Sequence, residues 1–259
     1  DRRLFVPEKW FGQEYEERRK KCKMPQDLVF KKKPELANEM IQEVCKRGLF
    51  SFRWVTCDTI FGNSPEFLQN LPEHVFCLAE IAKNRKVWIK PEESRDRKKR
   101  PPVSVSDIAR DEKVAWKLSK LAEGAKGPIL GFVSRVRVYV DDPGKAENER
   151  WLFLRKDPTT EEIKYYFSNA PLDTSLEEMT RVCSLRWPIE QSFQEGKSEL
   201  GMADYEHRSW PAWHRHMTFV FLAQLFLLRI QYVFKKNASF NITPSTDVAG
   251  SRLTNYPIR

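Results

Sequence analysis

The stretch that most limits the fold runs from Pro34 to Glu80. Pro34 stands at a favourable first helical position. Leu36, Met40, Ile41 and Val44 then recur at a helical period up to Arg47, and Gly48 is the expected stop. Phe50 to Cys57 (Phe-Ser-Phe-Arg-Trp-Val-Thr-Cys) is rich in aromatic and β-branched residues, which predicts a strand with Asp58 at its C-terminal end. Gly62-Asn63-Ser64-Pro65 predicts a turn in which Ser64 caps a short helix to Leu71. His74 to Glu80 reads as the next strand. Helix, strand, helix, strand is the alternation of an α/β layered core.

The pattern breaks at Lys83. Lys90 to Arg100 is dense in charge and leads to Pro101-Pro102, so 92–103 is expected to be a mobile basic loop. Trp116 to Leu121 reads as a short helical piece. Three strand-like runs follow: Ile129 to Val140, Trp151 to Arg155 and Ile163 to Ser168. Asp141-Asp142-Pro143-Gly144 and Asp157-Pro158-Thr159 form the turns between them. Residues 84–168 are therefore a β-rich insertion. Thr174 and Ser175 can cap a helix to about Val182. A second helix starts near Trp187-Pro188 and ends at Gly201, and Trp213 to Phe234 reads as a long, mostly buried helix. The expected division is 1–83 for the first part of a core, 84–168 for the insertion, 169–235 for the rest of the core, and 236–259 for a polar tail.

The chain of 259 residues carries a formal net charge of +9 and a sequence pI near 9.3, which favours a polyanionic partner, nucleic acid first. Basic runs at 18–21, 31–33 and 95–100 supply much of that charge, and the last is the best placed to touch phosphate. Five cysteines without a C-x-x-C pair exclude a zinc ribbon and a secreted disulfide scaffold, so a reducing, cytoplasmic setting is expected. The longest uncharged apolar run, Met217 to Leu228, is too short to span a bilayer, and no membrane partner is expected.

Chemistry concentrates in Leu185 to Lys197. Arg186 and Glu190 are four residues apart, and Glu190 and Lys197 seven, so a helix stacks all three in one stripe. Phe193 lies in that stripe and Ile189 beside it, which predicts a partly buried face. A carboxylate held there between two cations suits a group that binds a metal and a phosphate. It equally suits an i,i+4 ion pair with Arg186. Asp58 has the same two readings: an acid at a strand end facing a crevice, or a cap on the next turn. Cleaving a phosphodiester needs charge neutralised on the phosphoryl oxygens and an activated water. Two divalent ions about 4 Å apart, held by carboxylates from distant segments, provide both. His207, His214 and His216 lack a metal-binding spacing, and Trp187, Trp210 and Trp213 are most simply packing residues.

Two segments carry a family resemblance. Trp54-Val55-Thr56-Cys57-Asp58-Thr59-Ile60-Phe61-Gly62 resembles the segment around the second acid of DDE-superfamily insertion-sequence transposases. Arg186-Trp187-Pro188-Ile189-Glu190, followed by Phe193 and Lys197, resembles their third-acid helix with its Tyr-Arg-Glu-Lys signature. The similarity extends through Tyr205-Glu206, Arg208-Ser209-Trp210 and Trp213 to Met217, and back to Leu4-Phe5-Val6-Pro7 and Trp10. The resemblance implies an α/β, ribonuclease H-like core with a β-strand insertion between the second Asp and the Glu helix. It implies that Asp58 and Glu190 ligate Mg²⁺ (or Mn²⁺), two ions in a complete site, and that Arg186 and Lys197 contact DNA phosphate. The implied activity is metal-dependent cleavage and strand transfer of insertion-sequence ends into target DNA, in a bacterial-type, nucleoid-associated setting. Pairing two ends implies a homodimer.

Two departures accompany the match. Cys183 stands where the signature Tyr would fall, and a thiol cannot stack on a base. Residues 1–33 cannot hold the early strands that carry the first Asp, so that Asp is expected upstream of residue 1 or lost. The alternative function is accordingly a degenerate or co-opted remnant that binds DNA without cutting.

Overall fold

The computed structural model of this chain describes residues 2–89, 101–124, 127–141 and 148–236. The chain divides into two compact units. One comprises residues 1–5 and 31–186; the other comprises 6–30 and 187–259. The basic run at 95–100, the Asp142-Pro143-Gly144 turn and the 237–259 tail lie outside the described residues.

The first unit is built on a sheet of eight strands: β1 (Trp54–Cys57), β2 (Phe76–Ile81), β3 (Lys86–Ile89), β4 (Val103–Ser104), β5 (Lys117–Gly124), β6 (Gly127–Tyr139), β7 (Glu149–Lys156) and β8 (Ile163–Ser168). Their order is β1-β2-β8-β7-β6-β3-β4, with β5 also on β6. β1 and β2 are parallel, and the other pairings are antiparallel. The long β6 pairs with β7 on one edge and shares its other edge between β5 and β3. The fold is thus mixed α/β with an open, mostly antiparallel sheet.

Strand alternation decides what each face buries. Around β1 and β2, Trp54, Phe76 and Leu78 point to a core completed by Met179, Val182 and Cys183 of α6 (Leu176–Ser184). Val55, Cys57 and Cys77 point the other way, to Phe67, Leu71, Ala37 and Ile41 from the helices α2 (Lys33–Arg47) and α4 (Pro65–Gln69) with the turn after it. Helices cover both faces of the parallel pair, as burial of a parallel ladder requires. A third core joins α5 (Val105–Arg110) to Ile81, Val87, Leu152 and Phe167. Ser64 and Ser175 cap α4 and α6 by accepting from the amides of Phe67 and Glu178, and Gly48 ends α2 at φ 62°.

The second unit contains two turns of 3-10 helix, α1 (Glu16–Lys21), α7 (Trp187–Ser198) and α8 (Trp210–Lys236). The Trp210 amide donates to the Cys22 carbonyl at 2.7 Å, which ties the N-terminal segment to the start of α8. Met202, Met217 and Val220 form its small core with Leu200 and Trp213.

Several expectations are corrected. The run Trp116 to Leu121 is not helical: from Lys117 it forms β5, because a ladder to Val133–Gly127 of β6 satisfies its amides. The strand at 50–57 begins only at Trp54. Helix α8 is not mostly buried. Its most apolar 18 residues average a hydropathy of 1.6, and only 6% of them are buried. By length and composition alone it could cross a membrane, so the uncharged run Met217 to Leu228 understates it.

Candidate active site

Asp58 leaves the ladder at the C-terminal end of β1, where the crevice beyond parallel strands gathers ligand-binding groups. It also caps the single helical turn α3 (Thr59–Gly62): Oδ1 accepts from the Ile60 amide at 3.0 Å, and the Gly62 amide donates to its carbonyl at 2.8 Å. The capping role is therefore real. Oδ2 has no hydrogen-bond partner among the described residues.

The same turn is pressed onto β2. A Cβ on Gly62 would stand 1.9 Å from the Glu80 carbonyl oxygen and 2.9 Å from its carbon. Only glycine lets α3 approach that closely. Asn63 Oδ1 then accepts from the Ala82 amide at 3.2 Å. Asp58 is thus held in place by main-chain contacts to the neighbouring strand.

The parallel register ends at Cys57 opposite Ala79, and Asp58 and Glu80 are the residues that follow this last pair. Glu80 is the carboxylate that sequence reasoning did not single out; its signal is an acid closing the apolar run Val75 to Ala79. Its Oε2 accepts from Arg186 Nη1, and Lys164 Nζ stands 3.8 Å from Oε1. Both members of the Glu80–Arg186 pair are largely buried, with side chains 16% and 25% exposed. Arg186, a candidate for DNA phosphate, is therefore bound to a carboxylate 106 residues away.

Cys183, at the signature Tyr position, is buried on α6 against the Tyr166 hydroxyl and near Arg155. Burial pushes its thiol above the ordinary value. Burial, reinforced by Cys77 and the Asp58 carboxylate, pushes the Cys57 thiol above the ordinary 9.0. These groups stay protonated near neutrality and are unsuited to act as nucleophiles.

Glu190 and Lys197 are on α7, in the second unit, and both are exposed. Asp58, Glu80 and Arg186 belong to the first unit. The expected half-buried stripe is corrected: Ile189 is 56% and Phe193 49% exposed. The packed side of α7 runs instead through Gly196, which is buried. A Cβ on Gly196 would meet Met202 at 2.7 Å, and Gln224 of α8 donates to the Ser192 carbonyl at 2.7 Å. A small residue, not a large apolar one, marks the contact because it leaves room for the Met202 and Gln224 side chains.

Among the described residues no group of three or more His, Cys, Asp or Glu side chains could hold a metal ion. In the first unit one oxygen of Asp58 suits a hard cation, whereas Glu80 is already neutralised by Arg186 and Lys164. That donor set does not fit a two-ion centre by itself. Two histidines are tied into the fold: His214 lies against Trp210 and Trp213, and His216 bonds the Gly201 carbonyl at 2.8 Å.

Residues 1–128 match a family described as DDE superfamily endonuclease, which supports a DDE-superfamily, transposase-like protein. The matched span includes Asp58, Gly62 and Glu80 and stops before α7. No curated protein matches the chain.

Proposed function

We propose that this transposase-like chain is the DNA-processing part of a transposase, acting by metal-dependent strand cleavage and strand transfer on insertion-sequence ends. The observation that carries the reading is Asp58, pinned at the end of a parallel strand by Gly62 and Asn63 within the span that matches DDE endonucleases. The parallel pair β1–β2 followed by antiparallel strands supports a ribonuclease H-like core with a β-rich insertion between Asp58 and the Glu190 helix. Asp58 and Glu190 would hold the Mg²⁺ or Mn²⁺ ions, which when bound neutralise phosphoryl charge and activate water. Lys197 would meet DNA phosphate from α7. Arg186 would do so only on release from Glu80. The test is Mg²⁺- or Mn²⁺-dependent nicking of an element-end duplex by the wild type, Asp58→Asn and Glu190→Gln. Loss of nicking in both variants is expected. Unchanged nicking in either sinks its assignment.

A second reading, a remnant that binds DNA without cutting, is favoured by one observation. Glu80 is committed to two cations, and no three-donor group forms among the described residues. Salt-dependent DNA binding with no nicking at any divalent-ion concentration would select it.

A further inference from the structure

Past the candidate acids, the turn after β2 opens a cleft of about 550 Å³ that neither Asp58 nor Glu80 lines. Its walls come from Asn63, Asn84, Arg85, Lys86, Trp88 and Asp141. The build is specific. The Asn63–Ala82 bond fixes one wall, five residues along from Asp58. The Arg85 amide closes a tight turn onto the Ala82 carbonyl, and the amides of Val105 and Ser106 anchor that turn through the carbonyls of Arg85 and Lys83. On β3, Val87 is fully buried in the core, so alternation turns Trp88 to the opposite side, at the cleft.

The chemistry of the lining is selective. Arg85 and Lys86 make no ion pair within 4.0 Å among the described residues, and Asp141 is the one carboxylate of the lining. Trp88 is half-buried and has no aromatic partner among the described residues. Two cations outside any ion pair, of which Lys86 also acts on the Asp107 carboxylate, together with a half-buried indole suit a nucleic-acid strand: phosphates for the cations and a base for the indole. A paired base inside a duplex has both faces stacked on its neighbours, so the indole selects an unpaired one.

Resting on the proposed DNA-processing function, we propose that this cleft is a single-strand binding site. Trp88 stacks on an unpaired base, and Arg85 and Lys86 hold the adjoining phosphates. The site would steer a frayed strand along the turn that carries Asp58.

The experiment measures binding of a fluorescein-labelled oligo(dT) 20-mer and a 20-base-pair duplex across a salt series, without divalent ions. Trp88→Ala is expected to weaken oligo(dT) binding roughly tenfold and duplex binding by less than about twofold, with Trp88→Phe retaining most of the affinity. Arg85→Ala/Lys86→Ala, at the start of β3 and outside the buried core, is expected to reduce the salt slope for oligo(dT) by about 1.4. Wild-type binding of oligo(dT) with an unchanged slope in the double variant overturns the proposal, as does an equal loss of strand and duplex binding in Trp88→Ala. Failure of the wild type to bind either probe overturns the DNA-processing function itself.

Discussion

Gly62→Ala separates two opposed effects. In a helical turn, alanine in place of glycine favours folding by about 1 kcal/mol through backbone entropy. Against that, the new Cβ would sit 1.9 Å from the Glu80 carbonyl oxygen, 2.9 Å from its carbon and 3.3 Å from the Ala79 carbon. Real Cβ atoms essentially never come closer than 3.0 Å, so α3 must retreat by at least 1.1 Å (3.0 − 1.9). All three obstructing atoms are main chain, and no rotamer change relieves them. Overpacking of this kind costs about 1–3 kcal/mol and more when backbone must move. The retreat also breaks the geometry of the Asn63–Ala82 bond. The net expectation is a loss of roughly 2–4 kcal/mol, since steric overlap outweighs the entropic gain. Urea unfolding followed by tryptophan fluorescence reads it as a lower midpoint at constant slope. A loss below about 1 kcal/mol, or a gain, would refute the claim that backbone contact at Glu80 holds the Asp58 turn.

Asp58→Ala is expected to cost about 1 kcal/mol by orphaning the Ile60 amide, whereas Asp58→Asn keeps the cap and the stability; comparing their urea midpoints with their nicking rates divides capping from chemistry. Glu80→Gln is expected to destabilise by roughly 1–3 kcal/mol through Arg186, which is left charged in a largely buried place, with little added by the more exposed Lys164. In a double-mutant cycle, Glu80→Gln with Arg186→Gln should cost less than the sum of the two single changes, and simple additivity would argue against the pair. Burial raises the folded-state values of the Cys57, Cys77 and Cys183 thiols. Unfolded thiols ionise from about 9.0 while the folded ones keep their protons, so the unfolded state binds fewer protons and stability falls as pH rises above that value. Each thiol steepens the fall by up to about 1.4 kcal/mol per pH unit. Urea midpoints between pH 8 and 10 should show it, and Cys183→Ala should flatten the slope.

Much of the layered core is legible along the chain because the signals that define it are local. The helical period from Leu36 to Val44, the caps Ser64 and Ser175, the stop at Gly48 and the β-branched run before Asp58 each act over a few residues. The stretch 117–121 was misleading for the same reason. Its identity as a strand depends on a ladder with β6, and pairing outweighs a weak local preference.

The candidate site was half legible. Asp58 is marked by its place at the end of a strand, and Glu190 by its spacing on a helix. Composition and periodicity determined by themselves that this is a basic α/β chain with acids at those two positions. Only the tertiary structure decided the rest: that Glu80 holds Arg186 across 106 residues, and that Gly62 is required by a neighbouring strand. It also decided that α7 packs through Gly196 and leaves Phe193 exposed. The physical reason is range. Periodicity and capping report what a segment can do within a few turns of its own chain, whereas a salt bridge or a glycine contact is set by which distant strand or helix comes to rest against it.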